Sequence, residues 1–198
     1  EDDLVVSPQF LSVLNAALER YQNDSQVLQG AGNIVPVDVQ TADDAFFLPF
    51  VSSWGWATWD RAWREFDPNA TAYGQLKRDV KRRRAFDMNG GYAYSSMLEA
   101  HLAGKNDSWA IRWNLSVFMH DGMVLYPKKS LVENIGFDGS GVHCRAESLA
   151  QLMDLSFVPK RLPMPEIKPA IRNQVFEYFR ARRSPGARLR ALMKRVIR

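Results

Sequence analysis

The sequence predicts an α/β fold with few strands, and three observations predict it. Short runs of strand length recur at 26–32, 46–51 and 123–126. Longer stretches between and around them carry apolar residues at helical spacing. Gly, Pro, Asn and Asp punctuate almost every junction. Hydrophobic residues make up 46% and charged residues 24% of the 198 positions, enough apolar material for one core of ordinary domain size.

The elements follow in order. Ser7 and Pro8 suit a helix start. Phe10, Leu11, Leu14 and Leu18 then share one helical face, and Asn23-Asp24 closes it. Residues 26–32 read as a short strand running into a glycine turn, 33–44 as loop, and 46–51 as a buried strand. The Trp54–Phe66 stretch predicts a helix, because Trp56, Trp59 and Trp63 fall at helical spacing and suit a core. A polar helix is expected over 73–86, ending in the basic run 81–84 and broken at Asn89-Gly90-Gly91. Helices over 92–103 and from 108 to 119 follow, the second capped by Asp107 or Ser108 and ended by Asp121-Gly122. A strand at 123–126 leads into a glycine-rich stretch. The 159–169 segment is punctuated by proline, and two basic helices separated by Ser184-Pro185-Gly186 close the chain. The division expected is 1–158 as one catalytic part and 159–198 as a proline-punctuated segment with basic amphipathic helices.

Charge is unevenly distributed. From Arg180 onward there are eight Lys or Arg and no acid, leaving 18 basic against 22 acidic side chains, a net of −4 for the body. An acidic body speaks against a nucleic-acid partner, for which aromatic and basic residues would interleave on one face. In the tail, Leu189, Leu192, Met193 and Val196 share a helical face ringed by cations, a pattern suited to an anionic membrane surface or to a solvated basic end. The single cysteine, Cys144, excludes an internal disulfide and suits a reducing compartment. No run approaches the ~20 apolar residues of a membrane span. The expected location is cytoplasmic, peripheral to the inner face of the cell membrane.

Four constellations can carry chemistry. Glu1, Asp2 and Asp3 form an acidic cluster that suits either a divalent cation bridging to phosphate or a helix N-terminus. Asp107 stands beside Trp109 and Trp113. A carboxylate next to an aromatic wall suits a general base for a sugar hydroxyl, and equally a capping acid beside core tryptophans. Gly139 and Gly141 precede His143, a candidate metal ligand or a locally satisfied histidine. Trp54, Gly55 and Trp56 suggest a tight turn lined with rings.

Taken together, EDDLVVSPQFL, SSWGWATWDRAW, GKNDSWAIRWN and LYPKKSLVENIGFDGSGVHC resemble, in that order, motifs of GT-A glycosyltransferases, especially bacterial polysaccharide enzymes related to N-acetylglucosaminyltransferase I. The resemblance spans residues 1–144 and is weak or absent beyond about residue 160. It implies the C-terminal part of a GT-A (nucleotide-diphospho-sugar transferase) fold, with the N-terminal nucleotide-binding half missing from a chain that opens without an initiator methionine, and hence a chain inactive alone. In that group the acidic triplet ends a strand. Asp3 would ligate Mn²⁺ or Mg²⁺, and Glu1 and Asp2 would orient the site or touch the donor. His143 would contact the metal or the diphosphate. Trp54, Gly55, Trp56 and Trp109 would bind the acceptor, and Asp107 would be the catalytic base of an inverting transfer. Ser108 stands where some relatives carry a second acid. The implied partners are a nucleotide-sugar donor and a glycan or lipid-linked acceptor in bacterial surface polysaccharide synthesis. A metal-dependent phosphohydrolase would need ligands for a second metal, and a non-catalytic remnant would keep only the fold.

Overall fold

A computed structural model describes residues 3–136 and 153–183. It is a mixed α/β structure whose centre is a four-stranded sheet ordered β3-β5-β2-β4, made of β2 (Val27–Ala31), β3 (Ala45–Leu48), β4 (Trp56–Ala57) and β5 (Met123–Pro127). β2 and β5 run parallel, while β3 pairs antiparallel with β5 and β4 antiparallel with β2.

Every residue of β2, β3 and β5 is buried, because both faces of the sheet are covered. The two-residue period of a strand sorts their side chains between two cores. Phe46, Leu48, Val124 and Tyr126 point to one side, where they meet Trp113 and Val117 of α6 (Trp109–Met119) and Ile171, Val175 and Phe176 of α7 (Pro169–Arg183). Ala45, Phe47, Met123 and Leu125 point to the other, against Ala17 of α1 (Phe10–Arg20) and Tyr21 just beyond it. A third cluster joins Tyr73 and Leu76 of α3 (Tyr73–Arg78), Phe86 of α4 (Val80–Phe86), Leu98 of α5 (Tyr94–Leu102) and Ile111 and Leu115 of α6.

A separate two-stranded antiparallel ribbon pairs β1 (Leu4–Val6) with β6 (Val132–Asn134), in the register Leu4↔Asn134 and Val6↔Val132. Asp3 therefore stands directly before β1, while Glu1 and Asp2 lie outside the described residues.

Several expectations are corrected. The Trp54–Phe66 stretch is not one helix. Trp56 and Ala57 pair with the edge of β2, Thr58 Oγ1 donates to the Leu28 carbonyl at 2.6 Å, and only α2 (Asp60–Trp63) is helical. Gly55, at φ +60°, reverses the chain where a helix would have continued. The unpaired backbone groups of β2 outweigh local periodicity. The 73–86 helix breaks at Asp79, whose extended backbone and side chain, accepting from Arg82 N at 2.9 Å, start a new helix. The 46–51 strand stops at Leu48, since Pro49 has no N–H for the ladder. Ser7 is not the cap of α1: residues 7–9 form a turn in which the Ser7 carbonyl accepts from Phe10 N. The second basic helix expected beyond 186 lies outside the described residues, as do Gly139, Gly141 and Cys144.

Asp44 ties the proline-punctuated segment to β3. Its Oδ2 accepts from the backbone N–H of Lys160 (3.0 Å) and Arg161 (2.9 Å). These two bonds hold its pKa below the ordinary carboxylate value. A depressed folded pKa gives stability that is present above the unfolded value of about 3.9 and lost as pH falls through the folded one. The stability advantage of wild type over Asp44→Asn, read from urea midpoints, is therefore expected to shrink as pH falls below about 5. An advantage independent of pH would contradict this role.

Candidate functional site

The ribbon carries Asp3. Asn134, buried at 8% exposure, donates from Nδ2 to Asp3 Oδ2 at 3.1 Å. Its own Oδ1 accepts from Gly136 N at 2.8 Å, and Ile135 N donates to the Asp3 carbonyl at 2.8 Å. A Cβ on Gly136 would stand 3.0 Å from Asp3 Cβ and 3.2 Å from Oδ2, so this position accepts little beyond hydrogen. The carboxylate is thus aimed by a strand 131 residues away in sequence. The neighbouring candidates Glu1, Asp2 and His143 lie outside the described residues.

Gly55 joins this ribbon to the sheet. Its carbonyl accepts from Gly32 N at 2.7 Å, and the Gly32 carbonyl accepts from Leu131 N at 2.8 Å. A Cβ at Gly55 would lie 2.7 Å from Val132 Cγ2 and 2.8 Å from Phe10 Cε2. Val132 pairs with Val6, three residues from Asp3. The Gly-Trp segment therefore touches the ribbon that carries Asp3, through Val132.

Beyond Gly55 the rings form a continuous wall. Trp56 stacks on Trp109 (centroids 5.2 Å apart, planes at 25°) and contacts Trp63 at 5.8 Å. Trp63 stacks on Phe66 at 4.6 Å and leans on Trp113 at 5.2 Å. Trp63 is 40% exposed, so it is not the core residue its spacing suggests. Trp54 is half-buried, with its backbone N–H on Ser52 Oγ at 3.4 Å.

Two buried amides hold the loop that leads into this wall. Gln29 accepts the indole N–H of Trp113 (2.7 Å) and donates to the Ser52 carbonyl (2.6 Å). Asn114 Oδ1 accepts from Val51 N at 2.9 Å. Each amide interrupts an apolar run, Gln29 in VLQGA and Asn114 in WNL, and that interruption is its signal in the sequence.

Asp107 lies at the mouth of α6. Ser108 is the cap, its Oγ accepting from Ile111 N at 3.4 Å, so Asp107 is released from that role. The Asp107 side chain is 92% exposed, 3.5 Å from Arg112 Nη2 and 4.0 Å from His101 Nδ1. It stands two residues before Trp109, at the end of the ring wall.

Chemically, Asp3 offers a hard oxygen donor, the wall offers ring faces to an apolar surface, and Asp107 offers a solvent-facing proton acceptor. Among the described residues no group of three metal-ligating side chains occurs. A single fixed carboxylate nevertheless fits Mg²⁺-type binding, in which one or two carboxylates are completed by phosphate oxygens and water. No protein-family model, curated protein or solved structure matches the chain.

Proposed function

We propose that the chain is the metal-side and acceptor-side part of a GT-A glycosyltransferase. It transfers a sugar, with inversion, from a nucleotide-sugar donor to a glycan or lipid-linked acceptor in bacterial surface polysaccharide synthesis. The observation that carries this reading is convergence. Segments 3–10, 54–56, 107–109 and 131–136, far apart in sequence, are linked in space: Asp3 bonds to Asn134 of β6, Val132 of the same strand meets Gly55, and the adjoining Trp56 stacks on Trp109.

In this reading Asp3 holds Mn²⁺ or Mg²⁺, with Glu1, Asp2 and His143 completing the donor side. When bound, the cation offsets charge on the leaving diphosphate. Asn134 fixes the direction of the Asp3 carboxylate. Trp54, Gly55, Trp56 and Trp109 bind the acceptor, and we add Trp63 to them on its exposure and its contact with Trp56. The acceptor hydroxyl oxygen bonds to the anomeric carbon as the bond from that carbon to the diphosphate oxygen breaks. Asp107 takes the hydroxyl proton and the nucleoside diphosphate leaves with the bonding pair. A location at the inner face of the membrane goes with this chemistry. No helix among the described residues is long and apolar enough to cross a membrane.

The test is nucleoside diphosphate release from UDP-, GDP- and dTDP-sugars by the full gene product with Mn²⁺. Asp3→Ala and Asp107→Asn are each expected to lower the rate by a factor of about 100 or more; the exposed Asp107→Asn leaves the unfolding midpoint unchanged, whereas Asp3→Ala lowers it by the loss of the Asn134 bond. Full activity in either variant removes that residue from the mechanism, and no release from any donor removes the reading.

A further inference from the structure

We propose a second binding site, for a single-chain amphiphile with an anionic head, between α7 and the N-terminal end of α5. A cavity of about 650 Å³ opens there, lined by Val35, Tyr92, Met97, Phe179, Arg182 and Arg183 among others. That volume lies within the range of small-molecule sites, about 300–1,000 Å³. None of its lining residues belongs to the candidate transfer site, so this inference stands independently of the proposed reaction.

The lining is divided by chemistry. Its inner surface is apolar and aromatic. Tyr92 packs edge-on against Phe179 at 5.9 Å and leans on Tyr94 at 4.5 Å, and Phe179 meets Tyr178 at 5.7 Å. Tyr92 remains 39% exposed, an aromatic surface left to a ligand or to water. Gly91 lets this wall close on α7, since a Cβ there would stand 3.0 Å from the Phe176 carbonyl.

The rim is cationic. Arg182 donates from Nη1 to Tyr178 Oη at 3.1 Å and lies over that ring at 5.4 Å. Arg183 donates from Nη1 to the Gly90 carbonyl at 3.3 Å. These bonds orient both guanidinium groups at the mouth, and a guanidinium carries five N–H donors, so more remain for a ligand. No acidic side chain lines the cavity, and among the described residues neither arginine has a carboxylate partner.

This lining selects among ligands. A nucleobase or a sugar needs several polar side chains to meet its edges, whereas the inner wall supplies mainly hydrocarbon and ring faces. A hydrocarbon chain fits that wall, and a phosphate fits a pair of arginines, which bind it by parallel N–H donors. The two together describe an alkyl phosphate, free or as part of a lipid.

The probe is decyl phosphate, titrated by calorimetry below its micelle concentration into the full chain. Saturable binding is expected, weaker by about tenfold or more in the R182A/R183A double variant, whose altered side chains are exposed. Ser96→Trp, which fills the cavity from an exposed position on α5, is expected to lose binding without a change in unfolding midpoint. Flotation with phosphatidylcholine vesicles, with and without phosphatidic acid, distinguishes the sources. Capture on the acidic vesicles that Ser96→Trp abolishes identifies a bilayer lipid; decyl phosphate binding without capture identifies a free amphiphile. No binding of decyl phosphate, equal binding of neutral decyl maltoside, or binding unchanged in both variants overturns the proposal.

Discussion

Gly55→Ala is expected to destabilise the protein by about 3 kcal/mol. Two costs add. The backbone at Gly55 is left-handed, φ +60°, which costs a residue with a Cβ about 1–2 kcal/mol. The new methyl would also stand 2.7 Å from Val132 Cγ2 and 2.8 Å from Phe10 Cε2, and relieving such overpacking costs about 1–3 kcal/mol. Neither neighbour can yield freely: Val132 is fully buried, and Phe10 also lies against Gly32. Gly104→Ala is the control. Gly104 is left-handed as well, φ +68°, but a Cβ there meets nothing within 4 Å. The difference between the two urea midpoints isolates the packing of Gly55 against Val132 of the ribbon and Phe10 of α1. Equal losses would mean that this contact does not constrain the site.

Gln29→Leu is expected to cost about 3 kcal/mol, lowering Tm by roughly 10 °C in a chain of this size. Gln29 is completely buried and satisfies two groups, the Trp113 indole N–H and the Ser52 carbonyl. Leucine fills similar space but orphans both, at about 1–3 kcal/mol each, with some return from the apolar side chain. The loop from Ser52 toward Gly55 loses one of its anchors at the same time. Adding Trp113→Phe removes the orphaned N–H, so the double variant is expected to lose less than the sum of the single changes. Strict additivity would show that the Gln29–Trp113 bond carries no stability.

The parts of the fold legible in sequence are those whose signal is local. α1, α5 and α6 announce themselves by helical spacing and their stop residues, and β2, β3 and β5 by short apolar runs. β1, β4 and β6 are two or three residues long, too short for any period to register, and exist through partners elsewhere in the chain. Leu4–Val6 becomes a strand because Val132–Asn134 lies beside it, a pairing no local pattern encodes. Trp56 shows the same override: its helical spacing with Trp59 and Trp63 is real, yet the open edge of β2 takes it.

The site divides along the same line. Asp3, Gly55, Trp56, Asp107 and Trp109 stand out as residue types that do chemistry, and Trp56 and Trp109, named from separate motifs, stack on one another. Asn134 carries no local signal, and at Gln29 and Asn114 a polar residue inside an apolar run marks a buried amide without saying which groups it satisfies. Trp63 reads as core by spacing and proves 40% exposed, at the end of the four-residue α2.

The central claim is that Asp3, aimed by Asn134, gathers a divalent cation at the ribbon beside Gly55. Paramagnetic line broadening by Mn²⁺ in amide NMR spectra tests it most directly. The account predicts that substoichiometric Mn²⁺ broadens Asp3–Val6 and Val132–Gly136 first, then Gly55, and leaves α3 and α4 sharp. It predicts roughly tenfold weaker binding in Asn134→Ala and loss of the pattern in Asp3→Ala. Broadening centred elsewhere, or a pattern that survives Asp3→Ala, would contradict the account.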